Sequence, residues 1–306
     1  MSKQKLWGIN IILLALSCVF IFIASQMASG EQSGKGWSPS DNIPQIVKGV
    51  DLDKRYVFCE ELLPMDNFDV RERLDRELMV NTYWHSNTIL ALKSTLRYFP
   101  AMDRILREEG VPTDLKYIAV AESSLRNAVS PAGARGIWQF MKGTAGDYGL
   151  EVNDEIDERY HLEKSTRAAA RYLKSLRKRF GSWANAAAAY NMGGGNLNKN
   201  LSEQRMDNYF ELNLNEETAR YYFRLVALKY ILENPREYGF YVEKEEYYPP
   251  LDNYRTVAVS NPVANWGDFA RDEGTTYRML KIYNPWLTDN FLTNGSGQTY
   301  EVRIPK

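Results

Sequence analysis

The sequence predicts a mainly α protein, an all-helical lobe followed by a small α+β unit of strand-helix-helix-strand order. Apolar residues recur at spacings of three and four from Asp69 to about Asn234, with charged residues between them. Alanine runs at 168–170 and 186–189 let helices approach closely. Beyond Pro235, two extended runs, YRTVAVS and QTYEVRIP, bracket two short helical ones. With 306 residues, 44% hydrophobic and 13% aromatic, the chain can fill one large core and one small one.

At the N-terminus, Leu6 to Ala24 carries no charge and follows Lys3 and Lys5, so residues 1–24 read as a signal peptide or a membrane anchor with the lysines inside. Ala28 and Gly30 leave cleavage open. Lipid attachment at Cys18 is disfavoured, because the apolar run continues past it from Val19 to Ile23. Residues 25–54, rich in Ser, Gly and Gln at their start, read as a linker. The lobe is expected over 55–240. Its first helices are DVRERLDRELMVNTYW and NTILALKSTLRYFPAMDRILREEG. Thr113 is the expected N-cap of DLKYIAVAESSL, whose core stripe would hold Leu115, Ile118, Ala119, Glu122 and Leu125. LEKSTRAAARYLKSLRKRF would bury Ala169, Leu173, Leu176 and Phe180. SWANAAAAYNM starts behind a Ser182 cap and stops at a glycine turn, Gly193 to Gly195, and ETARYYFRLVALKYILEN is the last long helix. A proline- and tyrosine-rich connector, 241–253, leads to the α+β unit, 254–306.

The balance of 38 basic and 39 acidic side chains lacks the electrostatic footprint of a nucleic-acid binder. Cys59 is the one cysteine beyond the N-terminal segment, so no disulfide forms there, and it reads as a small buried hydrophobe. His85 and His161 lie far apart without ligands at metal spacing and read as surface or packing residues; no metal or cofactor is implied.

The stretch AVAESSLRNAVSPAGARGIWQF puts the carboxylate of Glu122 on an apolar helix stripe. Such a group is either paired, with Arg126 or Arg135 as candidates, or held protonated as a general acid beside the aromatic rings and donors of Trp138, Gln139, Tyr190 and Asn191. Asp154, Asp157 and Glu158 read as solvated or helix-capping, and Trp138 has an equal claim to be core.

Three ordered motifs, Glu122-Ser123-Ser124-Leu125, Ser130-Pro131-Ala132-Gly133-Ala134-Arg135-Gly136-Ile137-Trp138-Gln139 and Ala189-Tyr190-Asn191-Met192-Gly193, resemble the signature of the lytic transglycosylases of the soluble-lytic-transglycosylase type, which have a goose-lysozyme-like fold. Flanking segments across residues 55–240 are similar to the membrane-bound type D branch. Residues 254–305 resemble a LysM repeat through Asn284-Pro285 and Val302-Arg303-Ile304-Pro305, but Asn261-Pro262-Val263-Ala264-Asn265 stands where the repeat usually has Gly-Asp-Ser/Thr-apolar.

The resemblance implies a periplasmic, membrane-anchored enzyme of a Gram-negative bacterium, with peptidoglycan glycan strands as its partner. It would cleave the β-1,4 bond between N-acetylmuramic acid and N-acetylglucosamine, leaving 1,6-anhydro ends. Glu122 would be the catalytic acid and base, Ser130 and Gln139 would bind sugar, and Tyr190 and Asn191 would orient the acetamido group or Glu122. A muramidase on the same fold and a non-catalytic wall-binding scaffold are the alternatives, and an intact Glu122 argues against the scaffold.

Overall fold

The computed structural model describes residues 48–306 apart from 296. The Leu6–Ala24 segment and most of the linker lie outside the described residues. Within them, no helix is long and apolar enough to cross a membrane.

The lobe opens with a hairpin that the periodicity does not reveal, β1 (Val57–Phe58) and β2 (Glu61–Leu62), turned by Cys59 and Glu60 at positive φ. Asp114 holds this turn by accepting from the Cys59 N–H, and Glu61 accepts from the N–H of Trp183. Helix α1 (Phe68–Tyr83) starts at Asn67, whose side chain accepts from the Asp69 N–H, and it buries Val70, Leu74 and Leu78. Helix α2 (His85–Glu108) accommodates Pro100 on its exposed side.

Next comes α3 (Lys116–Ser123), and here the expected cap and end both shift. Thr113 opens a 3-10 turn, Thr113–Leu115, instead of capping, and the helix stops two residues early. Ser124 and Leu125 both take left-handed φ, 52° and 59°, which still delivers Leu125 to the core. After the short α4 (Lys142–Asp147), α5 (Leu162–Phe180) buries Ala169, Leu173, Leu176 and Phe180 as expected and ends on Gly181 at φ +81°. Ser182 caps α6 (Trp183–Met192) by accepting from the Asn185 N–H. The glycine run is not an open turn: Gly193 alone makes the joint, and Gly194 begins α7 (Gly194–Gln204).

Helix α8 (Glu216–Glu233), capped by Asn215, packs against α1, α3 and α6 and is the centre of the lobe. Tyr221, Tyr222, Phe223, Leu225 and Val226 are all buried along it, more than one face, as a central helix requires.

In the C-terminal unit, β3 (Tyr254–Val259) and β4 (Tyr300–Pro305) pair antiparallel from Tyr254 opposite Pro305 to Val259 opposite Tyr300. Between them lie α9 (Trp266–Asp272) and α10 (Tyr277–Tyr283), giving the expected strand-helix-helix-strand order. Asn265, in the segment that departs from the LysM pattern, caps α9 by accepting from the N–H groups of Gly267 and Asp268. Asn284 is fully buried and bonds Leu280 O and both backbone groups of Arg303, tying α10 to β4. The unit's core includes Trp266, Leu280, Val302 and Ile304, and also Ile156 from the lobe.

Candidate active site

Glu122 sits in the last turn of α3, half-buried, with its Oε1 accepting from the Tyr221 hydroxyl of α8 at 2.6 Å. Burial raises its carboxyl above the usual range; the Tyr221 hydrogen bond opposes this, Glu217 reinforces it and Arg224 counters. Neither arginine proposed as a partner reaches it. Arg126 donates to Ser123 O, and Arg135 lies 3.5 Å from Asp157. Glu217 and Arg224 form their own pair at 2.8 Å, so their charges act on Glu122 from a distance.

Beside Glu122, the Ser123 hydroxyl donates to Ile137 O at 2.8 Å and fastens the end of α3 to the loop that carries Ser130 and Gln139. This loop folds on itself. Ser130 Oγ accepts from the Ala134 N–H, Ser130 and Ala134 share a backbone bond, and Arg135 and Phe140 exchange two. The Gln139 side-chain NH2 donates to Ala128 O and Gly136 O, leaving its Oε1 as acceptor. Trp138 is core: fully buried, with its indole N–H on Thr166.

Tyr190 and Asn191 close the site from α6. The Tyr190 hydroxyl donates to Trp138 O at 2.6 Å while its ring packs on Tyr172 and Phe140. Burial first, and the charge of Glu122 second, push its phenol well above the ordinary value, so it remains a hydroxyl donor. Asn191 Oδ1 accepts from Thr218 at the start of α8. The structure thus places Glu122 on α3 and Tyr190 and Asn191 on α6, two helices that both pack against α8. Among the described residues, no hydrogen bond joins Glu122 to Ser130, Gln139, Tyr190 or Asn191.

Two features escape the sequence reading. Tyr221, the one side chain among the described residues hydrogen-bonded to Glu122, lies 99 residues downstream among other buried aromatics. The acidic cluster after α4 is also not solvated throughout: Asp154 is exposed, but Asp157 and Glu158 are buried. Asp157 does cap the turn that follows it, and it holds Arg159 through two bonds of 2.8 and 2.7 Å. Arg159 in turn donates to Gly133 O and Phe140 O, so this buried ion pair is the floor of the Ser130–Gln139 loop. Gly136 rests on it with φ +80°, and a Cβ there would lie 2.0 Å from Arg159 O.

His161 caps α5, and His85 is exposed against Tyr83 and Phe240. Among the described residues, no group of three His, Cys, Asp or Glu is placed to hold a metal.

Residues 102–213, which span Glu122 and the loop and α6 around it, match the family described as Transglycosylase SLT domain. This chain carries an SLT domain. Residues 255–306 match the soluble lytic transglycosylase C-terminal LysM-like domain. Membrane-bound lytic murein transglycosylase D of Escherichia coli K12 is 31% identical over 252 residues, 79% of this chain and 52% of that protein. The chain therefore spans about half the length of the curated relative it matches. The 70 kDa soluble lytic transglycosylase of E. coli aligns over 57% of this chain and 33% of its own, at 18% identity and a TM-score of 0.40. An inactive mutant of lytic transglycosylase Slt from Pseudomonas aeruginosa aligns over 49% and 26%, at 20% identity and a TM-score of 0.35.

Proposed function

We propose that this SLT-domain protein is a lytic transglycosylase that cuts the β-1,4 bond between N-acetylmuramic acid and N-acetylglucosamine in peptidoglycan. The observation that carries this reading is the state of Glu122, a half-buried carboxyl with a raised pKa, one hydroxyl donor and no ion pair among the described residues. Protonated at rest, Glu122 donates to the leaving glycosidic oxygen. The acetamido carbonyl of the muramic residue stabilises C1 from the other face, in place of a second protein carboxylate. Glu122, now ionised, takes the proton of the C6 hydroxyl as that oxygen bonds to C1. The proton is returned, no water is consumed, and a 1,6-anhydro end is left.

In this reaction the Oε1 of Gln139 and the hydroxyl proton of Ser130 are free to meet the sugar, their other groups being spent inside the loop. The NH2 of Asn191 and the hydroxyl of Tyr190 orient the acetamido group or Glu122, Tyr190 by leaving Trp138 O. Residues 55–240 act as the catalytic lobe, 241–253 as connector and 254–306 as a LysM-like wall-contacting unit. The 1–24 segment and the 25–54 linker hold the enzyme to a membrane facing the periplasm of a Gram-negative cell.

Digestion of purified peptidoglycan followed by mass spectrometry of the soluble fragments tests the reading. Muramyl ends one water lighter than reducing ends, absent with Glu122→Gln, are the expected result. Reducing ends would make the protein a muramidase, and sedimentation with the wall without any soluble product would make it a scaffold.

A further inference from the structure

A cavity of about 320 Å³ opens between the lobe and the C-terminal unit, away from Glu122, and nothing in the proposed reaction uses it. Its volume lies in the range of small-ligand sites. Tyr98 and Tyr160 of the lobe and Tyr283 and Trp286 of the C-terminal unit line it, so both units build its walls. Two of its charges have no counter-ion among the described residues. Arg97 donates its Nε to Pro249 O at 3.0 Å and lies over the Tyr248 ring, which orients the guanidinium without neutralising it. Asp252, exposed on the connector, makes no ion pair. Arg303, also in the wall, is already matched by Glu163 at 2.7 Å, and His161 lies 3.3 Å from the same carboxylate.

These charges select the ligand. A neutral sugar there would leave the charges of Arg97 and Asp252 unmatched. A phosphate would suit Arg97, but it would sit in a cavity that also holds Asp252 and Glu163. A small molecule carrying both a carboxylate and an ammonium satisfies both: the planar fork of Arg97 takes the carboxylate, Asp252 takes the ammonium, and the aromatic walls cover the aliphatic part between. We propose that this junction cavity is a second binding site, for a short zwitterionic peptide. The identity of that peptide as a peptide stem of peptidoglycan rests on the reading of the substrate given above.

The site is wired to the reaction. Asn127 and Ile137, from the segment that links Glu122 to Gln139, form part of its wall, and Ile137 O receives the Ser123 hydroxyl next to Glu122. A stem bound here presses on the loop that grips the sugar, so the enzyme registers peptide-bearing strands at a place other than the cleft.

The test is titration calorimetry of the full chain with free peptide stems, released from purified peptidoglycan by an amidase and separated from glycan. Saturable binding is expected. It should weaken at least tenfold in Arg97→Gln and in Asp252→Asn, weaken likewise when the peptide carboxyls are amidated, and persist in Glu122→Gln. Absence of binding, binding indifferent to both variants, or full competition by glycan strands stripped of peptide would each overturn the proposal. Circular dichroism of both variants confirms their fold. Failure of the catalytic reading shows separately, as the absence of anhydro ends in the digestion.

Discussion

Glu122 is held between two opposing influences, burial that favours its proton and the Tyr221 hydroxyl that favours its charge. Glu122→Gln is expected to lower the rate of strand cleavage by about 10²–10⁴-fold, the worth of a positioned acid-base group. It should also stabilise the protein. The folded carboxyl keeps its proton at pH values where the unfolded chain has lost it, so burial costs stability as pH rises above the ordinary carboxyl value, and the full cost applies above the raised one. Melting of Glu122→Gln above wild type at neutral pH, with the difference closing toward about pH 3, is the expected result. Tyr221→Phe removes the opposing hydrogen bond, raises the carboxyl further and should move the alkaline limb of the pH-rate profile upward. A limb that moves down or stays in place would deny Tyr221 that role. Glu122, Tyr190 and Asn191 are legible as candidates because each stands in a motif of local spacing. Tyr221 was not legible, because nothing in ETARYYFRLV distinguishes the tyrosine that faces a carboxylate from those that fill the core.

At the scale of elements, the loop from Ser130 to Gln139 depends on a segment that comes after it in the chain. Arg159 bonds two of its carbonyls, and Asp157 is only 1% exposed, so removing the guanidinium leaves a buried carboxylate without its main partner. Arg159→Met should cost about 3–5 kcal/mol. Gly136→Ala, which combines positive φ with contact against Arg159 O, should cost about 3 kcal/mol or more. Both are read by denaturant titration, and both should reduce cleavage at temperatures where the variants remain folded, because the Gln139 and Ser130 groups move with the loop. Periodicity placed the long helices well, from Phe68 to Glu233, because their buried stripes repeat. It did not reveal the loop's floor. Asp-Glu-Arg in a polar stretch reads as solvent-facing, and only the fold shows that the three are buried together. Helix α7 was hidden for a related reason, since Gly193-Gly194-Gly195 signals a break, and the break proves to be one residue long.

At the scale of the molecule, the same segment ties the C-terminal unit to the Ser130–Gln139 loop. Asp157 N–H donates to Trp286 O, Thr288 N–H donates to Glu155 O, Ile156 bridges Leu287 and enters the C-terminal core, and both Glu155 carboxylate oxygens accept from Thr293 at 2.7 Å. Residues 151–163 thus face the C-terminal unit on one side and hold Gly133 and Phe140 on the other. A LysM-like unit on a loose connector would melt separately and would leave the lobe indifferent to its loss. Here the two units should unfold in one calorimetric transition. Glu155→Ala, which deletes two charge-assisted bonds at a partly exposed site, is expected to cost about 1–2 kcal/mol and to lower that single transition by about 2–4 °C per kcal/mol. Because the strut also supports the Ser130–Gln139 loop, the variant should lose cleavage on soluble glycan strands, where wall affinity plays no part. Two transitions, with only the smaller shifted by the substitution, would show the units to be independent and confine the C-terminal unit to wall contact. One shifted transition with reduced cleavage would make the C-terminal unit a structural member of the active site.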